Sequence, residues 1–393
     1  MKSAWTLFLS ILVLSAAVLS TTPIHDQSKS EDAEEEVYFG VMFGSNSTSE
    51  VKQLIDRTKE YTNLFIMGSW DININETALN EVCDYAANAG MSFIVYFDYI
   101  SFRAYSWLGA WLENATNRWG KKFLGIYLYD EPGGHQIDMN QWQTGNYARR
   151  AMENASDYSD AANRFVTSIP ASLSWQNLKS LNVSIPLFTS DYALYWFDYL
   201  AGYDVIFAEL GWKTITAQQI ALCRGAANVQ GKAWGAIITW TYYDPPYLAS
   251  GPEIYTEMLT AYHAGAKYII VFNHPKYPES NVYGILSEEH FTAMKRFWDY
   301  IHAYPREIYG KADGKAALVL PKDYGWGTRR SENIVEDRIW GFWPEDEKTP
   351  IIGESMKKLL GKYGLRLDII YDDPRFNYRE KYSAIYFWNS TIS

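Results

Sequence analysis

Two apolar runs in this sequence end in carboxylates. Asp130 and Glu131 close FLGIYLYDEP, and Glu209 closes YDVIFAELGW. Each run reads as a buried strand up to its acid. A core strand that ends in acids must face something polar, because burying an unpaired charge is costly. Two carboxyls looking into one cleft suit glycosidic bond cleavage. One, protonated, donates to the leaving oxygen; the other, ionised, is nucleophile, base or stabiliser of an oxocarbenium-like centre. Crowding among Asp130, Glu131 and Glu209 raises at least one of their pKa values, since like charges oppose one another's ionisation. The expected roles are Glu131 as general acid, Glu209 as nucleophile or base, and Asp130 as the group that tunes the acid or orients the substrate.

Alternation along a strand decides which residues share a face. In the first run, Leu124, Ile126, Leu128 and Asp130 form one set, suited to packing on helices. Gly125, Tyr127, Tyr129 and Glu131 form the other and face inward. In the second run, Val205, Phe207 and Glu209 share a face. Further polar and aromatic residues stand at the ends of other strand-like runs. Asp191, Asp98, Asn273 and His274 are candidates for binding sugar hydroxyls. Trp70, Tyr99, Trp240, Tyr242 and Tyr243 are candidates for stacking under sugar rings. Core packing explains any single aromatic of this set equally well, and holding the loop after strand eight explains Asn273 and His274. No metal site is expected, as HExxH and EF-hand patterns are lacking, and glycosidic chemistry needs no cofactor.

The elements that must position these residues repeat in one order. From Val37 onward, eight short apolar strands alternate with helical patterns as far as Tyr304. Eight β–α units in a span of about 265 residues match a (β/α)8 TIM barrel, whose chemistry sits at the C-terminal ends of the strands. A doubly wound sheet shares the alternation, but a Gly-rich phosphate loop is lacking. Residues 305–393 restart the pattern with KAALVLP, a helix, LRLDIIYDD and KYSAIYFWN, a small parallel α/β domain. Three strands and one helix are few for such a domain, so the chain is either a truncated piece or the module leans on the barrel.

Composition narrows the partners. The 393 residues carry a net charge of −11, which argues against nucleic acid and anionic membranes, both of which need clustered Lys and Arg. The 31 Tyr and 16 Trp fit either a large aromatic core or stacking platforms for sugars. Residues 1–22 read as a secretory signal peptide, Lys2 followed by an apolar run too short for a typical span. Residues 23–36 read as an acidic linker. Six Asn-x-Ser/Thr sequons, at Asn46, Asn75, Asn114, Asn154, Asn182 and Asn389, fit an exported glycoprotein. An extracellular or cell-surface location follows, with no membrane insertion beyond the leader; a homo-oligomer is left open. Cys83 and Cys223 fall in separate helices and are assigned to core packing rather than to a disulfide or zinc site.

The acid pair in YLYDEP and the Glu in IFAELG resemble the spherulin-4-like and endo-galactosaminidase group of barrel glycoside hydrolases. That resemblance implies cleavage of galactosamine-containing polysaccharides, with Asp130, Glu131 and Glu209 in catalysis. The DEP also resembles the Asn-Glu-Pro of the large retaining clan, whose nucleophile ends strand seven; IITWTYYD carries no Glu there. The Asp-Glu order is similar to that of substrate-assisted hexosaminidases, and the appended module resembles the accessory domain of some barrel β-galactosidases. The competing class is an inactive sugar-binding or structural surface glycoprotein, since fold alone does not settle function.

Overall fold

The computed structural model describes residues 37–97, 105–137, 154–275, 281–326 and 338–392. Eight parallel strands close in sequence order into one barrel. They are β1 (Tyr38–Phe43), β2 (Leu64–Met67), β3 (Ser92–Phe97), β4 (Phe123–Leu128), β5 (Leu187–Asp191), β6 (Val205–Leu210), β7 (Ala233–Ile238) and β8 (Tyr268–Asn273). Hydrogen bonding between β1 and β8 completes the ring. The (β/α)8 architecture is therefore as the alternation implies, and the C-terminal strand ends define one mouth.

The intervening helices follow from local signals. Ser47 caps α1 (Thr48–Thr58), and Asn75 caps α3 (Glu76–Asn88); each side-chain oxygen satisfies a free N–H of the first turn. A short α2 (Trp70–Asn73) precedes α3, and α4 (Leu108–Trp119) and α5 (Pro132–Ile137) flank β4. Then come α6 (Tyr158–Ala171), α7 (Leu173–Lys179), α8 (Tyr195–Ala201), α9 (Thr216–Gln230), α10 (Gly251–His263) and α11 (Glu288–Ala303). Cys83 on α3 and Cys223 on α9 are both buried free thiols. All six sequon asparagines are exposed. No helix of the described residues is long and apolar enough to cross a membrane.

Two cores divide the apolar side chains. A small one fills the barrel interior, with Ile66, Ile94, Tyr127, Phe188, Phe207 and Ile270 among its members. A larger one lies between strands and helices and takes Ile126, Leu128, Ile206, Ala208 and Leu210. On β6 the alternation runs unbroken: Val205 and Phe207 point inside, and Glu209 follows on the same face. On β4 it does not. The pairing with β3 shifts register between Phe93 and Ile94, where Phe93 pairs Phe123 but Ile94 pairs Gly125. Gly125 takes the left-handed half of backbone space at φ +143°, and a Cβ there would lie 2.3 Å from the Pro186 carbonyl oxygen. Only glycine fits this bulge.

After the barrel come α12 (Arg306–Tyr309), β9 (Ala316–Leu320), a two-residue pair β10 (Arg338–Ile339) and β11 (Trp343–Pro344), α13 (Lys348–Tyr363), β12 (Leu367–Tyr371) and β13 (Ala384–Phe387). The parallel sheet has the order β12-β9-β13. Residues 36–393 make one compact unit. Arg224 of α9 fastens the sheet: its guanidinium donates to Asp368 Oδ1 at 2.7 Å and to the Leu367 carbonyl at 2.9 Å.

Candidate active site

Past Leu128 the chain stops behaving as a strand. Tyr129 and Glu131 both take left-handed φ values, 58° and 46°. Such conformations cost non-glycine residues of order 1–3 kcal/mol each and persist where surrounding structure enforces them. The consequence is a change of faces. Tyr129, expected inward, lies in the outer core and donates its hydroxyl to Ser172 Oγ at 2.7 Å. Asp130, on the outward set by alternation but expected to turn into the mouth where the strand gives way, reaches Tyr127, whose hydroxyl points into the barrel and donates to Asp130 Oδ1 at 2.5 Å. Both placements have one cause, the two left-handed residues that rotate the end of β4.

Asp191 enforces this turn. Its carboxylate accepts the Gly133 N–H at 2.6 Å, the Gly134 N–H at 2.8 Å, the Tyr192 N–H at 2.7 Å and the Ala193 N–H at 3.0 Å. The two glycines are needed for this approach. A Cβ on Gly134 would lie 2.2 Å from the Tyr192 ring, and one on Gly133 2.6 Å from the Ala193 carbonyl. Asp191 is fully buried, on the face opposite Phe188 and Ser190. Its oxygens thus serve backbone amides. Burial pushes its carboxyl up to about 7, with the Glu209 charge adding to the rise against these amides. Asp198 of α8, fully buried beside it, is raised well above the carboxylate range by burial and by Asp191. Its oxygens find no donor among the described groups, so the contact between the two acids needs a proton on one of them.

The three candidate acids come together at the mouth. The Glu131 and Glu209 carboxyls are in hydrogen-bonding contact, and burial, then the Glu131 and Asp130 charges, hold Glu209 well above the carboxylate range. Ser190 Oγ donates to Glu209 Oε1 at 2.6 Å, and the Glu131 N–H donates to the Ser190 carbonyl at 3.2 Å. Asp130 is raised too, by burial, against the lowering influence of Tyr127 and His135. Surroundings separate the pair in contact. Glu209 is 5% exposed. The Glu131 side chain is 25% exposed, with His135 Nε2 3.3 Å from its Oε2.

The remaining expected residues divide. Asn273 is buried and holds the following loop, donating to the Tyr283 carbonyl and accepting the Ile285 N–H. Both ends of the amide are in use there, as the loop-holding alternative implies. Trp240 is half-buried and packs on Tyr247, Phe272 and His274. Trp70 and Tyr242 are exposed, by 44% and 40%, and stand available at strand ends. Asp98 and Tyr99 lie outside the described residues.

Four residues escape the sequence reading. Tyr127 and Ser190 connect the acids, and His135 pairs with Glu131. Trp212 packs against Tyr243 with ring centres 4.6 Å apart and planes tilted by 45°, an aromatic pair just past Glu209. Alternation on β5 carries a signal for Ser190, since it shares the inward face of Phe188. A helix starting at Pro132 carries one for His135, four residues after Glu131. A buttress from far along the chain carries none: the Gln136 side chain donates to the Trp340 carbonyl at 2.8 Å, and buried Trp340 packs on Phe165 and Phe197.

Comparison with known proteins adds the fold's breadth. No family model matches the chain, and no curated protein matches it in sequence. Among solved structures it is similar to the endo-beta-1,4-mannanase from Thermotoga petrophila, at 8% identity over 74% of this chain and 83% of that one, with a TM-score of 0.44. The endo-alpha-mannosidase from Bacteroides thetaiotaomicron matches at 9% identity over 67% and 80%, with a TM-score of 0.40. A truncated 3-deoxy-D-arabino-heptulosonate 7-phosphate synthase from Thermotoga maritima matches at 12% over 70% and 89%, with a TM-score of 0.36. Glycoside hydrolases thus stand beside enzymes of other chemistry, and the likeness is one of fold.

Proposed function

We propose that the barrel mouth is the site of an extracellular glycoside hydrolase acting by a retaining mechanism on a polysaccharide or glycan. The contact of Glu131 with Glu209 in unlike surroundings carries this reading. A pair of the inverting kind stands about 6.5–9.5 Å apart, with water between; retaining pairs stand about 5–5.5 Å apart. A contact between the two carboxyls is nearer the shorter class, and a glycosidic oxygen entering between them replaces it.

Burial supports exchanging the roles expected from sequence. The enclosed Glu209 is the better holder of a proton, and the more open Glu131, beside His135, is the better anion. In this reading Glu209 gives its proton to the glycosidic oxygen as the C1–O bond breaks. Glu131 attacks C1 and forms an ester. Glu209 then takes a proton from water, whose oxygen attacks C1 and frees Glu131. Trp70, Tyr242 and the Trp212–Tyr243 pair offer platforms for flanking sugars. Galactosamine-containing polymers are the first substrates to try, on the strength of the resemblance in YLYDEP and IFAELG.

Release of reducing ends from a polysaccharide panel, amino-sugar polymers included, tests this. The parent chain should turn over at least one polymer. Glu131→Gln and Glu209→Gln should each lose a factor of about 10² to 10⁴, the usual worth of an acid or base. Folded parent protein without turnover on any polymer, or variants at the parent rate, would overturn the proposal; the first outcome would leave a sugar-binding barrel.

A further inference from the structure

Two hydroxyls connect two of the acids in the mouth. The Tyr127 hydroxyl lies 2.5 Å from Asp130 Oδ1 and 2.7 Å from Ser190 Oγ, and Ser190 Oγ lies 2.6 Å from Glu209 Oε1. Every link is short enough for a strong hydrogen bond. Tyr127, Ser190 and Glu209 are 1%, 3% and 5% exposed, so bulk water has little access to this line. We propose that Tyr127 and Ser190 form a proton wire through which Asp130 and Glu209 exchange one proton and titrate as a unit.

The wire is built to run either way. Each hydroxyl has one proton to give and lone pairs to receive. The Ser190 N–H occupies one lone pair of the Tyr127 oxygen at 2.9 Å, leaving its other lone pair and its proton along the line. The exchange balances. The Asp130 O–H bond breaks and its proton passes to Tyr127; the Tyr127 proton passes to Ser190; the Ser190 proton passes to Glu209. Neutral Asp130 and ionised Glu209 become ionised Asp130 and neutral Glu209, with no change in total charge. Neither hydroxyl needs to ionise for long: burial and the Asp130 and Glu209 charges keep Tyr127 protonated. Glu131 and His135 from the β4 turn, Asp191 from β5 and Tyr195 from α8 also act electrostatically on these acids. The wire itself is independent of the proposed hydrolase activity. Its use in turnover, recharging Glu209 from Asp130, rests on that reading.

Carbon-13 NMR titration of chains labelled at the Asp and Glu carboxyl carbons reads this directly, with no substrate present. Asp130→Asn and Glu209→Gln assign the two signals. In the parent, both signals should move in the same two steps, as expected for one coupled pair. Ser190→Ala should narrow the gap between the two steps to what the charges alone supply, and Ser190→Thr, which keeps the hydroxyl, should restore the parent gap. Tyr127→Phe should act as Ser190→Ala does, and the Ser190 variants decide the matter if it fails to fold. A gap between the shared steps that is unchanged in Ser190→Ala would show coupling through space alone and overturn the wire. A failed search for polysaccharide turnover leaves this test untouched.

Discussion

Charge is buried in two regions of this molecule under opposite conditions. At the joint between α9 and the small sheet, Arg224 and Asp368 are 2% and 0% exposed, and their groups are saturated. The guanidinium gives one bond to Asp368 and others to the Ala312, Leu367 and Ala264 carbonyls. Asp368 also accepts from Asn228 at 3.0 Å and Tyr382 at 2.9 Å. At the barrel mouth, Glu209, Asp130, Asp191 and Asp198 crowd together. His135 pairs with this cluster at Glu131. A joint can be closed by a paired charge and its hydrogen bonds. A cluster of acids left to repel one another costs stability, and such uncompensated sites gather where proteins do chemistry.

The largest contrast should appear when each region loses one ionisable group. Arg224→Met leaves Asp368 buried without its cation and should destabilise the fold by about 3–5 kcal/mol, the usual cost of breaking a buried pair. It touches nothing in the mouth. Glu209→Gln replaces a carboxyl that burial and its acid neighbours keep protonated by a neutral amide and should leave stability nearly unchanged, while turnover is lost. Urea unfolding of both variants checks this. An equal loss of stability in the two would erase the distinction between joint and site.

The two regions were also unequally legible from sequence. The barrel count, the runs ending at Asp130, Glu131 and Glu209, and the inward face of β6 all follow from alternation, a local property. The rotation at the end of β4 does not, because it depends on the Gly125 bulge and on amides held by Asp191 from the next strand. Alternation on β5 favours Ser190 for the mouth, yet the acid next to it is the more conspicuous residue. The joint was invisible. Arg224 and Asp368 lie 144 positions apart, and no pattern of composition or period ties them.

pH offers a finer separation. Glu209 and Asp191 are held above their unfolded values, Asp191 at about 7. The folded state therefore binds more protons than the unfolded chain. The stability these protons supply is full below about pH 4, where unfolded carboxyls are protonated, and is lost as pH rises through about 7 and beyond. Glu209→Gln should flatten this decline. Arg224→Met leaves the cluster's protons in place and should keep the parent's decline. Asp84, held low by Arg118 and Trp119 despite partial burial, works in the opposite sense at acid pH. The difference between variants, measured as urea midpoints at pH 4.5 and pH 8, is the quantity to compare. Parallel curves for all three proteins would show that the cluster's protons do not govern stability.

The smallest effect comes from single hydroxyls. Tyr382→Phe removes one neutral donor from Asp368 while Arg224 and Asn228 remain, and should cost about 1.5–3 kcal/mol, the worth of a hydrogen bond to a charged group. Ser190→Ala removes the donor to Glu209, whose carboxyl is held mainly neutral by its burial, and should cost nearer 0.5–1.5 kcal/mol. The ordering follows from the state of the acceptor, ionised at the joint and protonated at the mouth. It is read from unfolding midpoints at pH 7. Raising the pH until Glu209 ionises should increase the Ser190→Ala cost towards that of Tyr382→Phe, because the same hydroxyl then serves an anion. A Ser190→Ala cost that already equals the Tyr382→Phe cost at pH 7 would put an ionised carboxylate at Glu209, and the acid's proton elsewhere.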